Sequence, residues 1–139
     1  MDNESKSAIT FLSAVGYVEQ QLREIAVRAR KHPNVASVSV SVSSWPGSEY
    51  PHSEYPSIEG YASVSFESGA IFDWLINIQI YEANWLIDFG IHEGTERGSE
   101  AITDFQDVVA STLEECVAGL KHAADQLVAS AIGFDFSDK

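Results

Sequence analysis

The chain has a single cysteine, Cys116, which rules out a disulfide within these residues and any cysteine-based zinc cluster. No apolar run approaches the roughly 18 residues of a membrane span. The opening stretch MDNESKSAIT is polar and acidic, unlike the apolar core of a secretory leader. These absences predict a cytoplasmic chain with no membrane association. Also missing are a phosphate-binding loop, a Gly-x-Gly-x-x-Gly turn, a His-Glu-x-x-His zinc helix and a nucleophile elbow. Positive charge is scarce. Residues 1–32 hold five Lys/Arg against four Asp/Glu, whereas residues 33–139 hold three against seventeen. The net charge of −13 repels phosphate backbones and anionic lipid, so nucleic acid is not an expected partner. Such a body would attract a basic protein, although acidity also serves plain solubility.

What is present reads as one domain spanning residues 1–139, long enough for a sizeable core. Hydrophobic residues make up 45% of it, enough to argue against wholesale disorder. From Lys6 to Lys31, Ala8, Phe11, Val15, Val18, Leu22, Ile25 and Ala29 recur at alternating spacings of three and four. That is one apolar stripe of an amphipathic helix, widened by Leu12 and Ala26. Arg28, Arg30, Lys31 and His32 complement the negative end of the helix dipole, and Pro33 stops the helix. The one basic cluster therefore has a structural explanation.

Four strands follow. VASVSVSVSSW alternates Val38, Val40 and Val42 with serines, and GYASVSFE repeats the pattern with Ala62, Val64 and Phe66. IFDWLINIQIY turns Phe72, Trp74, Ile76, Ile78 and Ile80 inward, and WLIDFGIHE does the same with Trp85, Ile87, Phe89 and Ile91. A loop at Ser68–Ala70 predicts Ser65 opposite Asp73. A two-residue turn at Glu82–Ala83 predicts Asn77 opposite Asp88 and Asp73 opposite His92. Ser99 suits an N-cap. A long second helix is predicted from there to about Ala131, with Ile102, Phe105, Val109, Leu113, Cys116, Leu120, Ala123 and Leu127 as its stripe. Gly16 and Gly119, in or beside the stripes, predict close backbone approach. The tail FDFSDK reads as loose. The sum is an α+β two-layer sandwich. Long N- and C-terminal helices pack on one face of a four-stranded, mostly antiparallel sheet, in the order α-β-β-β-β-α.

The other sheet face is then left to solvent or a partner. It carries serines, Tyr61, Tyr81, Leu75, Leu86, Asp73, Asn77, Asp88 and His92, with no Lys or Arg. Tyrosines and acids on a flat rigid surface suit recognition of a basic protein, although a plain solvated face uses the same small polar residues. The loop SWPGSEYPHSEYPSIEG is longer than compact domains favour. Three prolines bias it toward extended conformations, Trp45, Tyr50 and Tyr55 offer amphipathic anchors, and Glu49, Glu54 and Glu59 add charge at intervals of five. The partner-binding residues read from the sequence are thus Trp45, Glu49, Tyr50, Glu54, Tyr55, Glu59, Asp73, Asn77 and Asp88.

Asp73, Asp88 and His92 are the best catalytic candidates. They come without a nucleophile or a basic oxyanion partner, so the chain is read as no enzyme, with no cofactor and no metal. His32, His52 and His122 belong to a helix end, the loop and a helix surface. A short, acidic α+β chain with aromatic-acidic exposed segments resembles in kind the bacterial immunity proteins encoded beside polymorphic or contact-dependent toxins. That resemblance implies inhibition of a basic toxin, often a nuclease, by an acidic surface that occludes or mimics its substrate. Two alternatives stay open. One is a small-molecule or metal-binding domain using Asp73, Asn77 and His92 on the exposed sheet face. The other is a structural homodimer joined by that face or by an edge strand; as a binding protein the chain is read as monomer or homodimer.

Overall fold

The computed structural model describes residues 2–45, 55–95 and 98–139. Helix α1 spans Asn3–Arg30. The Asp2 carboxylate caps it by accepting from the Ser5 N–H at 2.7 Å, and that hydrogen bond holds the carboxyl below its ordinary pKa. The chain then runs through β1 (Val35–Trp45), β2 (Ser57–Phe66), β3 (Ile71–Tyr81), β4 (Asn84–Thr95), β5 (Gly98–Asp104) and β6 (Val108–Ala110). Helix α2 spans Leu113–Ile132, and a single 3-10 turn follows at Phe136–Asp138. The strand pairs are antiparallel, in the order β1-β2-β3-β4-β5, with β6 also paired to β4. The α+β class and the antiparallel sheet agree with the sequence reading. The strand count does not: among the described residues the sheet has six strands, not four.

The difference lies wholly in residues 98–110, which form two strands rather than the start of a helix. β5 pairs with Gly90–Thr95 of β4, and β6 with Trp85–Ile87 of the same edge. Ile102 and Val109, expected in a helical stripe, are exposed at 44% and 65%. Ser99 lies inside β5. The cap is Thr112, whose Oγ1 accepts from the Glu115 N–H at 3.2 Å. The Glu115 carboxylate reaches back to accept from the Ser111 N–H at 2.9 Å. This is a variant of the capping box, with the return bond taken from the residue before the Thr112 cap.

One core joins the layers. α1 packs on β1 and β2, α2 packs on β4, β6 and β3, and the helices lie against each other. Trp74, Leu22, Ile25, Ile76, Ile87, Leu120 and Leu127 are fully buried within it. Full burial on α1 begins at Ala14; Ala8 and Leu12 are exposed and Val15 is half-buried, while Phe11 is half-buried against the core, so the predicted stripe is continuous only from Val18 onward. A Cβ on Gly119 would sit 2.9 Å from Val108 Cγ1 and 3.0 Å from Ile87 Cδ1, which is the close approach expected there. Gly16 makes no such approach. Cys116 is buried, and burial pushes its thiol up to about 11.

The tail is anchored rather than loose. Phe136 is buried and stacks on Trp74 at 5.6 Å, while Phe134 meets Trp74 edge-on at 5.0 Å. Asn34 Nδ2 donates to the Phe136 carbonyl at 2.6 Å. The helices are further tied by the Tyr17 hydroxyl donating to Asp125 and by Gln21 Nε2 donating to the same oxygen at 3.0 Å.

Candidate functional site: the outer face of the sheet

Strand register turns the outer face into rows that cross the sheet. Ser43, Glu59, Asn77 and Asp88 form one row across β1–β4. Beside it run Ser41, Tyr61, Leu75 and Gly90, and then Ser39, Ser63, Asp73, His92 and Ala101 across β5. The Glu82–Ala83 turn sets Asn77 opposite Asp88 and Asp73 opposite His92, as predicted. It does so with both turn residues at positive φ, 46° and 66°, a conformation normally given to Asn-Gly. The neighbouring hairpin differs from expectation. The Phe66 N–H donates to the Ala70 carbonyl and Ser65 faces Ile71, so Asp73 lies opposite Ser63. The turn falls one residue earlier than predicted, where Gly69 can take its φ of +94°.

Gly90 shapes the site. It sits in an outward-facing position between Asp88 and His92 and has no side chain to fill its place in the row. The result is a groove of about 510 Å³ lined by Glu59, Leu75, Asn77, Asp88, Phe89, Gly90, His92, Ala101 and Asp107. Three carboxylates and one imidazole surround it, with Leu75 and Ala101 as its apolar side chains on this face, while Phe89 turns its ring to the core. The imidazole Nδ1 of His92 is buried without a hydrogen-bond partner among the described residues. A second groove, of about 380 Å³, continues from Glu59 and Asn77 to Ser43, Ser44, Trp45, Ser57 and Gln79.

Four of the predicted partner-binding residues are thereby brought together: Glu59, Asn77 and Asp88 in the first groove, and Trp45 in the second. Asp73 shares the face, in the row of His92 and Ala101, and lines neither groove. Tyr55 is half-buried at the near end of β2. Glu49, Tyr50 and Glu54 lie outside the described residues. Asp107, Ala101, Gly90 and Phe89 join the site without being among the sequence candidates. Asp107 and Ala101 fall in the segment that helical spacing assigns to α2, although the Thr-x-x-Glu signature at 112–115 marks a later helix start.

Among the described residues, no three His, Cys, Asp or Glu side chains are grouped as metal ligands. Among them, too, no helix is long and apolar enough to cross a membrane. No protein-family model, curated protein or solved structure matches the chain.

Proposed function

We propose that this chain is a non-catalytic binding protein that receives a basic protein partner on the outer face of its sheet, most concretely an immunity protein that neutralises a basic toxin. One observation carries the reading: Glu59, Asp88 and Asp107 converge on one groove in a stretch of chain almost stripped of cations. From residue 33 to residue 120 there are fourteen Asp/Glu and one Lys/Arg, Arg97. Like charges gathered on one rigid face repel one another, and a cationic side chain entering the groove relieves that repulsion as it binds. Tyr61 and Leu75 stand in the adjoining row and supply the aromatic and apolar contact that charges alone lack. Because the face is built of paired strands, little ordering is needed on association.

The test is co-expression with the product of the neighbouring gene, followed by affinity measurement. Complex formation and protection from that product are expected. Replacing Glu59→Gln, Asp73→Asn, Asp88→Asn and Asp107→Asn together should weaken binding by about 100-fold, equivalent to roughly 2.7 kcal/mol. Added salt should slow association with the unsubstituted chain. Unchanged affinity in that variant removes the sheet face from the proposal. Unchanged affinity after Glu49→Ala, Tyr50→Ala, Glu54→Ala and Tyr55→Ala removes the loop. No complex and no protection removes the immunity reading.

A second reading has its own observation, the unpartnered His92 Nδ1 beside a groove of ligand size. It assigns the groove to a small polar ligand. A thermal-shift screen of metabolites and metals decides it, since a ligand at a hundred times its dissociation constant adds about 2.7 kcal/mol. No shift across the screen, or an identical shift in His92→Ala, defeats this reading.

A further inference from the structure

We infer that β1 is a self-pairing edge, through which two copies of this chain join antiparallel about a two-fold axis at Ser41 to run one continuous sheet through both. The inference does not rest on the acidic groove. β1 ends the strand order, and among the described residues only β2 pairs with it. Every second residue of such an edge strand turns its N–H and C=O away from the sheet, a template for another strand.

Edge strands of stable monomers are commonly blunted by Lys, Pro, a bulge or brevity. β1 is 11 residues long, contains neither Lys nor Pro, and has its one register irregularity at Val35/Ser37, leaving Ser37–Trp45 regular. The other side of the sheet is different in kind: β4 is covered in two short pieces by β5 and β6, and β5 bears Glu100. The core face of β1 is also unfinished. Val38, Val40 and Val42 are only half-buried, while Val64 and Ala62, the β2 partners of Val38 and Val40, are at 0% and 1% exposure.

The sequence of β1 pairs with itself and so fits a second copy, and charge sets where two copies can meet. Two chains of net charge −13 repel, so they meet most favourably where neither carries charge. β1 has no charged residue; β6, also uncharged, is only three residues long, and β2, β3, β4 and β5 each have at least one carboxylate. Its sequence also suits antiparallel self-pairing. With the axis at Ser41, Ser39 of one copy meets Ser43 of the other, Val40 meets Val42, and Val38 meets Ser44. Ser39, Ser41 and Ser43 thus stay on the outer face, and the valines of the two copies extend one apolar layer.

Sedimentation equilibrium of the full chain tests this, with a mass rising from 15.2 kDa toward twice that value as concentration increases. Added salt should tighten the dimer by screening repulsion, the opposite of its effect on a basic partner. The double variant Ser39→Glu with Ser43→Glu, and the double variant Ser39→Lys with Ser43→Lys, should each be folded by circular dichroism and at least about tenfold weaker in self-association. Mixed in equal amounts, they should recover a heterodimer, because opposite charges then meet across the axis. A chain that stays monomeric into the millimolar range, its edge then being open to a strand of another protein, overturns the inference. So does undiminished self-association in both variants, or a mixture that does not associate.

Discussion

Trp74 and Leu75 are neighbours in β3 but serve opposite faces of the sheet. Trp74 is fully buried beneath Phe134 and Phe136, and the inner positions Phe72, Ile76 and Ile78 around it pack against the helices. Leu75 is half-buried on a face of serines, tyrosine and carboxylates. The same strands and the same register build both faces; only the side-chain parity differs. The inner face is therefore bound by volume and holds the fold together. The outer face has almost no packing duty, so its composition is free to follow charge. An acidic groove on that face takes nothing from the core beyond modest self-repulsion.

That contrast can be broken most sharply at Trp74. Trp74→Ala should destabilise by about 3–5 kcal/mol in urea titration, whereas Leu75→Ala should cost about 1 kcal/mol or less. Similar losses at both positions would erase the distinction between the faces. Gly119→Ala comes next. Its Cβ would press on Val108 and Ile87, and about 1–3 kcal/mol should be lost unless α2 shifts away from β6. Ala83→Gly should act in the other direction. Relief of the left-handed conformation at φ 66° should add about 1 kcal/mol and raise the melting midpoint by a few degrees. The smallest effect belongs to the outer face itself. Asp88→Asn with Asp107→Asn should change unfolding free energy by no more than about 0.5 kcal/mol. A large loss there would mean that these carboxylates help to hold the fold.

The legible parts of the sequence are those in which one period dominates. Strict alternation in β1–β4 tells which residues face the core, and the β3–β4 register then follows from the Glu82–Ala83 turn. Residues 98–110 carry two compatible periods. Ile102, Phe105 and Val109 fall at helical spacings, and Ser99 imitates a cap. What decides the segment is not local: β4 needs its outer edge covered, and β5 and β6 cover it. The groove is half-legible for the same reason. Glu59, Asn77 and Asp88 follow from alternation and register, while Asp107 joins them only because the chain crosses from β5 to β6 beside them. The tail is illegible locally, because its acidic residues suggest solvent while the partners of Phe134 and Phe136 lie far away in sequence.

The clasp of Phe134 and Phe136 over Trp74 also sets an order of events during synthesis. Helix α1 emerges first and can cover β1 and β2, but β3 and β4 leave the ribosome with their apolar face bare, and no later strand can cover it. Only when α2 and the two phenylalanines have emerged can Trp74 be enclosed. Until then the nascent sheet presents an apolar surface together with the open edge of β1, the condition in which chains stick to one another. The serine-rich and carboxylate-rich outer side meanwhile keeps the opposite surface of the nascent sheet largely polar.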